Sequence, residues 1–179
     1  MFENEIIKLR KLSLNDYNIY HNWRNDVEVM YTTSPQLDTY TLEETEEFIS
    51  SIISQSNAKS YIIEHKKTDQ AVGIVSLSNI NYKDRSAECI IDIGVKDMWG
   101  KGIGTAALSL ILEFAFSELN LHRISLKVFS FNERAIKLYE KMGFIREGIL
   151  RQALYRAGNW HDIVVMSILK NEYLSVSYK

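Results

Sequence analysis

Residues 88–116 constrain the fold more than any other part of this sequence. They read as an apolar strand, a turn with glycines at positions 100, 102 and 104, and then a strongly apolar helix. Glycine permits a tight turn and lets backbone N–H groups approach a ligand, while the N-terminus of the following helix carries a partial positive charge. The segment therefore predicts a pocket for an anionic ligand that bears phosphate.

The spacing of the glycines excludes two common phosphate loops. A Walker A loop needs glycine where this chain has Val95, and a dinucleotide fingerprint needs it where the chain has Thr105. The sequence WGKGIG instead places Gly102 and Gly104 at the fourth and sixth positions of a six-residue turn. This pattern resembles the acyl-CoA pyrophosphate loop of the GNAT N-acetyltransferases.

Two further segments resemble the same family. The segment NERAIKLYEKMGF, residues 132–144, is similar to its second conserved block. The segment YRAGNWHDIVVMSIL is similar to the closing hairpin of the branch with RimJ/RimL-type ribosomal-protein N-terminal acetyltransferases and spermidine N-acetyltransferases. The resemblance implies a single N-acetyltransferase domain over residues 1–179 with acetyl-CoA as co-substrate. One departure is Trp99, since the family usually has Gln or Arg at the start of the glycine loop.

Alternating strands and helices predict an α/β (α+β) fold, a mixed, mostly antiparallel central sheet flanked by helices. Strands are predicted at 6–12, 60–65, 71–80, 85–95 and 122–128, with a terminal hairpin that turns at 157–159. Helices are predicted from residue 13 toward 24, from 41, at 102–119 and at 132–143. Capping boxes begin the first two, at Ser13 with Asp16 and at Thr41 with Glu44. The second is expected to bury one apolar stripe: Leu42, Phe48, Ile49, Ile52 and Ile53.

Acetyl transfer to an amine needs a proton acceptor for the amine, stabilisation of the oxyanion and a proton donor for the thiolate. The resemblance places Tyr139 beside the CoA sulfur as the acid, although helical spacing alone would make it a core aromatic. Glu88 is the candidate base, or else an inert carboxylate at the start of its strand. Asp92 lies on the same face roughly 13 Å away, too far for a close pair unless a bulge near Gly94 changes the parity.

The resemblance also implies the contacts to acetyl-CoA. Backbone N–H groups between Ile93 and Val95 are expected to hold the oxyanion and to line the pantetheine arm. Asn132 either touches that arm or only caps its own helix. The expected cofactor-binding residues are Ile93, Gly94, Val95, Trp99, Gly100, Lys101, Gly102, Ile103, Gly104, Thr105, Asn132, Ala135 and Tyr139.

Composition narrows the remaining functions. The single cysteine cannot form an internal disulfide, and four scattered histidines show no metal-ligand spacing, so no metal is expected. No apolar run is long enough to span a membrane, and the first residues do not resemble a secretory signal, so the expected location is cytoplasmic. The sequence contains no basic patch with interleaved aromatic residues, so nucleic-acid binding is not expected.

The charge pattern bears on the acceptor. Residues 13–47 contain eight acidic residues against Arg24 alone. Such an excess would attract a cationic amine, namely a polyamine, an aminosugar or a peptide N-terminus, although helix capping explains it equally well. Together with what the resemblance implies, this predicts acetyl transfer to a primary amine. Direct attack in a ternary complex is expected because Cys89 has no evident activating partner. Transfer to a protein N-terminus and a non-catalytic acetyl-CoA sensor or scaffold remain alternatives, and the resemblance is compatible with a homo-oligomer.

Overall fold

The computed structural model describes the backbone of residues 1–177 and the side chains of residues 1–173. Its strands form one sheet in the order β1-β2-β3-β4-β5-β7-β6. Neighbouring strands are antiparallel except β4 and β5, which confirms the predicted mixed, mostly antiparallel sheet. The strands are β1 (Ile7–Lys11), β2 (Lys59–His65), β3 (Gln70–Asn81), β4 (Ser86–Ile93), β5 (Arg123–Phe129), β6 (Ile145–Arg156) and β7 (Asn159–Leu169).

Helices cover both faces of the sheet. They are α1 (Tyr17–Arg24), α2 (Val27–Thr33), α3 (Leu42–Ser54), α4 (Ile103–Glu113), α5 (Glu133–Lys141) and α6 (Lys170–Ser177). Four were predicted, but α2 and α6 were missed. The long predicted helix is also shorter than expected, because α4 ends at Glu113 and a π-helical turn, Phe114–Glu118, follows it.

The two faces of the sheet have separate apolar cores. The larger core joins α4 and α5 to the sheet, and in α4 it includes the fully buried Ala107, Leu108 and Ile111. The smaller core lies under α1 and α3 and includes Trp23 and Ile49. A site that opens between two strands of the sheet is therefore covered by helices on both faces.

The start of α3 is as predicted, but its buried stripe is not. The Glu44 N–H donates to the Thr41 hydroxyl and the Thr41 N–H to the Glu44 carboxylate, which completes the capping box. The fully buried positions are Thr45 and Ile49, whereas Leu42, Phe48 and Ile53 are exposed. Phe48 instead lies across α1, where it stacks on Tyr20 and Arg24.

Strand β4 ends in a bulge. The N–H groups of Gly94 and Val95 both donate to the Val72 carbonyl, at 2.9 and 3.2 Å. Two successive residues opposite one partner define a β-bulge, so the bulge considered near Gly94 is present. Glycine is required there, because an added Cβ would lie 2.1 Å from Cγ of Trp23.

Candidate active site

The candidate site lies where β4 and β5 separate. Their parallel pairing covers only residues 86–88 and 123–125, and a cavity of about 630 Å³ occupies the gap beyond it. The residues lining it come from β4, the glycine turn, β5, α5 and the end of α2. The predicted strand, turn and second block are thus brought together in one cavity.

Side-chain alternation divides the cavity into two sides. On β4, Cys89, Ile91 and Ile93 pack with the core under α4 and α5, so Glu88, Ile90 and Asp92 face the opposite side. On β5, the buried Leu126 and Val128 face α4, whereas Lys127 and Phe129 join the side of Glu88. We call the first the cofactor side, because it holds the glycine turn and Tyr139, and the second the acceptor side.

The glycine turn forms an open cradle at the N-terminus of α4. Gly100 and Gly102 have φ values of +74° and +83°, a region that favours glycine, and a Cβ at either would meet nothing within 4 Å. The first intrahelical bond runs from the Ala106 N–H to the Gly102 carbonyl, so the N–H groups of residues 103–105 precede it. These groups and the helix dipole fit a pyrophosphate. Gly104 serves packing, since its Cβ would lie 3.0 Å from Leu138.

Trp99 connects the glycine turn to β4. Its Nε1 donates to the Ile93 carbonyl at 2.8 Å, and the Arg134 guanidinium lies 4.1 Å from the indole centroid. The indole therefore stabilises the open edge of β4. Arg134, which also lines the cavity, brings a positive charge to the cofactor side that sequence reasoning missed.

Only one of the three backbone N–H groups expected for the oxyanion points toward the opening. Those of Gly94 and Val95 are bonded to Val72, which corrects their expected role. Ile93 stands opposite Gly73 in the register of β3 and β4. Because hydrogen-bonded and non-bonded pairs alternate and Gly94 bonds to β3, the Ile93 N–H and carbonyl point away from β3.

Tyr139 lies on α5, is 8% exposed, and lines the cofactor side. Its hydroxyl makes no hydrogen bond within the described part of the chain, so it is available to a ligand. Burial, with Cys89 and Asp92 nearby, raises the pKa of the phenol above its ordinary value of 10. Asn132 caps α5 by accepting from the Ala135 N–H at 3.2 Å, and it also borders the cavity.

The two acceptor-side carboxylates differ in environment. Glu88 pairs with Lys127 at 3.6 Å, and Asn79 donates to it at 3.5 Å. Asp92 forms no ion pair among the described residues, and burial raises the pKa of its carboxyl to about 7. Burial is the main cause of the raised pKa of both Tyr20 and Tyr139, and the charge of Asp92 adds to it.

Most of the predicted site residues line the cavity. The exceptions are Gly94, Val95 and Lys101, of which Lys101 points to solvent. Sequence reasoning missed Lys127, Arg134 and the wall formed by residues 32–35. The basic residues Arg134, Lys137 and Lys141 recur along α5, and this pattern could have indicated the positive charge from the sequence. The wall could not be found in the same way, because it depends on α2, which was not predicted.

The acidic segment is only partly free to attract cations. Asp16 pairs with Arg10 at 2.7 Å, and Lys96 pairs with Asp26 and Glu28 at 2.9 and 3.0 Å. None of the segment's carboxylates lines the cavity.

Among residues 1–177, no helix is both long and apolar enough to cross a membrane. The described side chains include no cluster of three or more metal-binding groups.

A known protein family matches most of the chain. The model of the acetyltransferase (GNAT) domain matches residues 7–145. The chain therefore belongs to the GNAT family, and its fold is the GNAT fold. It is an N-acetyltransferase that takes its acetyl group from acetyl-CoA, rather than the non-catalytic sensor or scaffold that the sequence left open.

Individual relatives resemble the chain over different lengths. Spermidine N(1)-acetyltransferase of Vibrio cholerae is 33% identical over 175 residues, which are 97% of this chain and 99% of that protein. The putative ribosomal N-acetyltransferase YdaF of Bacillus subtilis is 40% identical over 101 residues, which are 56% of this chain and 55% of that protein.

Solved structures of the Vibrio cholerae enzyme are also similar. Its complex with CoA and spermine has a TM-score of 0.87 at 32% identity and covers 96% of this chain and 99% of that one. A dodecameric structure has a TM-score of 0.82 at 32% identity and covers 97% and 99%.

Proposed function

We propose that this enzyme acetylates a primary amine of a polyamine such as spermidine or spermine, by direct attack of the amine in a ternary complex. The observation that carries the proposal is the similarity, over nearly the whole of both chains, to a spermidine N-acetyltransferase whose structure contains CoA and spermine. Two carboxylates on the acceptor side, Glu88 and Asp92, suit a substrate with several ammonium groups.

Asp92 is the proposed acceptor of the amine proton. An alkyl ammonium has a pKa near 10, and an ordinary carboxyl near 4 is a poor match for it. The raised pKa of about 7 at Asp92 narrows that difference and still leaves the carboxylate ionised above neutral pH. Glu88, the candidate base from the sequence, is instead paired with Lys127, and we assign it the attraction of a second ammonium group.

The cofactor side supplies the other two functions. Bound acetyl-CoA provides an activated thioester. The Ile93 N–H donates to the carbonyl oxygen as negative charge develops there during formation of the C–N bond. Tyr139 donates its proton to the sulfur as the C–S bond breaks, and its raised pKa keeps the phenol protonated until then. Burial raises the pKa of the Cys89 thiol to about 12, which agrees with direct attack rather than an acyl-enzyme.

A thiol-release assay with acetyl-CoA tests this function. The panel contains spermidine, spermine, an aminoglycoside, free amino acids and peptides that begin with Ala or Ser. We expect kcat/KM for spermidine or spermine to exceed that for the peptides by about a hundredfold, a difference of about 2.7 kcal/mol. A preference for peptides would contradict the proposal.

A protein N-terminus is the second candidate acceptor. It is favoured by the 40% identity to a putative ribosomal N-acetyltransferase, although that match covers just over half of each chain. The same panel separates the two candidates.

We also propose that the chain self-associates, supported by the dodecameric Vibrio enzyme, and light scattering of the purified protein measures this. The cytoplasmic location stays a prediction.

A further inference from the structure

Arg156, the last residue of β6, is buried without a carboxylate partner. It is 2% exposed, and no acidic side chain within the described residues pairs with it. A fully buried arginine is rare unless it is paired. Its Nη1 donates to the carbonyls of Met30, at 3.4 Å, and of Tyr31, and its Nη2 donates to those of Ser34 and Pro35, at 2.6 and 3.2 Å.

These carbonyls belong to the end of α2 and the residues that follow it. The Met30 carbonyl already accepts from the Ser34 N–H, at 2.9 Å, so it is not an unsatisfied carbonyl. The last carbonyls of a helix carry a partial negative charge, and the guanidinium at the end of α2 neutralises it. The rings of Tyr31 and Phe129 flank the guanidinium, each with its centroid 5.4 Å from Cζ. Burial lowers the pKa of Arg156, yet a guanidinium stays charged in proteins.

The segment that Arg156 holds is a wall of the cavity. Thr32, Thr33 and Pro35 line it, and the guanidinium that bonds to this segment lies against the ring of Phe129 on the acceptor side. Besides the packing of the buried Val29 and Met30, the other polar contacts of α2 are weaker. Asn132 reaches the Thr32 carbonyl only at 3.5 Å, and the pairs that Lys96 makes at the far end of the helix are solvent-exposed.

We propose that Arg156 is a positioning residue that holds residues 32–35 as the acceptor-side wall of the cavity and thereby sets the affinity for the amine. This inference rests on the proposed function for the identity of the amine. A lysine at this position keeps the charge but lacks the planar fork that reaches four carbonyls at once. The wall would then lose its fixed distance from Phe129 and from the β4 carboxylates.

The test compares Arg156→Lys with Arg151→Lys. Arg151 lies on the same strand, is exposed and does not line the cavity, so its variant is a matched control. Steady-state kinetics are measured with spermidine and acetyl-CoA varied in turn. Hydrogen exchange of a peptide covering residues 27–37 is measured on both variants without any substrate.

For Arg156→Lys we expect the KM for spermidine to rise about tenfold, with that for acetyl-CoA changed less than about twofold. We expect faster exchange in residues 27–37 than in Arg151→Lys. Unchanged spermidine KM with unchanged exchange would overturn the inference. So would a fall in kcat that only follows the folded fraction, since that is the result of a purely structural role. If the wild type acetylates no polyamine, the proposed function fails, and the exchange comparison alone then decides whether Arg156 holds the wall.

Discussion

Replacement of Asp92 by Asn tests the proposed route of the amine proton. With a pKa of about 7, the carboxyl is ionised in about one tenth of molecules at pH 6 and about nine tenths at pH 8. The substrate remains an ammonium ion over this range, so kcat/KM for spermidine should rise about tenfold from pH 6 to pH 8 and then level off. The measurement is initial thiol release at saturating acetyl-CoA across that range.

The Asn variant should have a lower kcat/KM, and its pH profile should lack the break near pH 7 at which the wild-type values level off. A positioned base contributes about 10²-fold to 10⁴-fold, so we expect at least a hundredfold fall at pH 8. The remaining activity should keep rising toward the pKa of the amine, because only free base reacts. Glu88→Gln is the matched control and should retain the break near pH 7. A wild-type profile in Asp92→Asn, or a break lost only in Glu88→Gln, would refute the assignment.

The same carboxyl makes a prediction about stability. The pKa of the Asp92 carboxyl is higher in the folded state than the ordinary 3.8, so its ionised form lowers the free energy of unfolding. This loss of stability has its full size above pH 7 and becomes smaller as the pH falls toward 4. The rise corresponds to about 4 kcal/mol for a sealed group, and we expect about 1–3 kcal/mol because the side chain borders the cavity. Asp92→Asn should therefore be more stable than wild type in urea at pH 8, with a smaller difference at pH 5. An equal difference at both values would contradict the burial argument.

Three further changes probe other parts of the molecule. Tyr139→Phe should lower kcat about 10²-fold or more with the Kd for CoA unchanged by calorimetry, and an unaffected kcat would remove the phenol from the mechanism. Gly94→Ala should lower the free energy of unfolding by about 3 kcal/mol, since its Cβ meets Trp23, whereas Gly148→Ala should change it little because nothing lies within 4 Å. Thr41→Ala should cost about 1 kcal/mol in urea through the lost cap of α3, and no change would show that the cap is replaceable.

The regular parts of the fold could be predicted because their signals are local. The alternation of β4, the glycines before α4 and the Thr41 capping box each depend on residues adjacent in the chain. The family resemblance then joined the glycine turn to α5. Helix α2 could not be found this way, because its seven residues are held from outside by Arg156 and Lys96.

The chemistry of the site depended on partners distant in sequence. The N–H groups of Gly94 and Val95 were expected to face the ligand, but β3 supplies their acceptor. The raised pKa of Asp92 arises from burial by surrounding elements, which no spacing reveals. The stack of Arg134 on Trp99 likewise forms only once α5 packs beside the glycine turn.

Acetyl transfer to a polyamine is tested most directly by competition in one reaction. Purified enzyme receives acetyl-CoA with equimolar spermidine and a peptide that begins with Ala, and the products are identified by mass spectrometry. We predict monoacetylated spermidine in an amount equal to the free CoA released, with the peptide unmodified. Acetylated peptide with intact spermidine would contradict the proposed function.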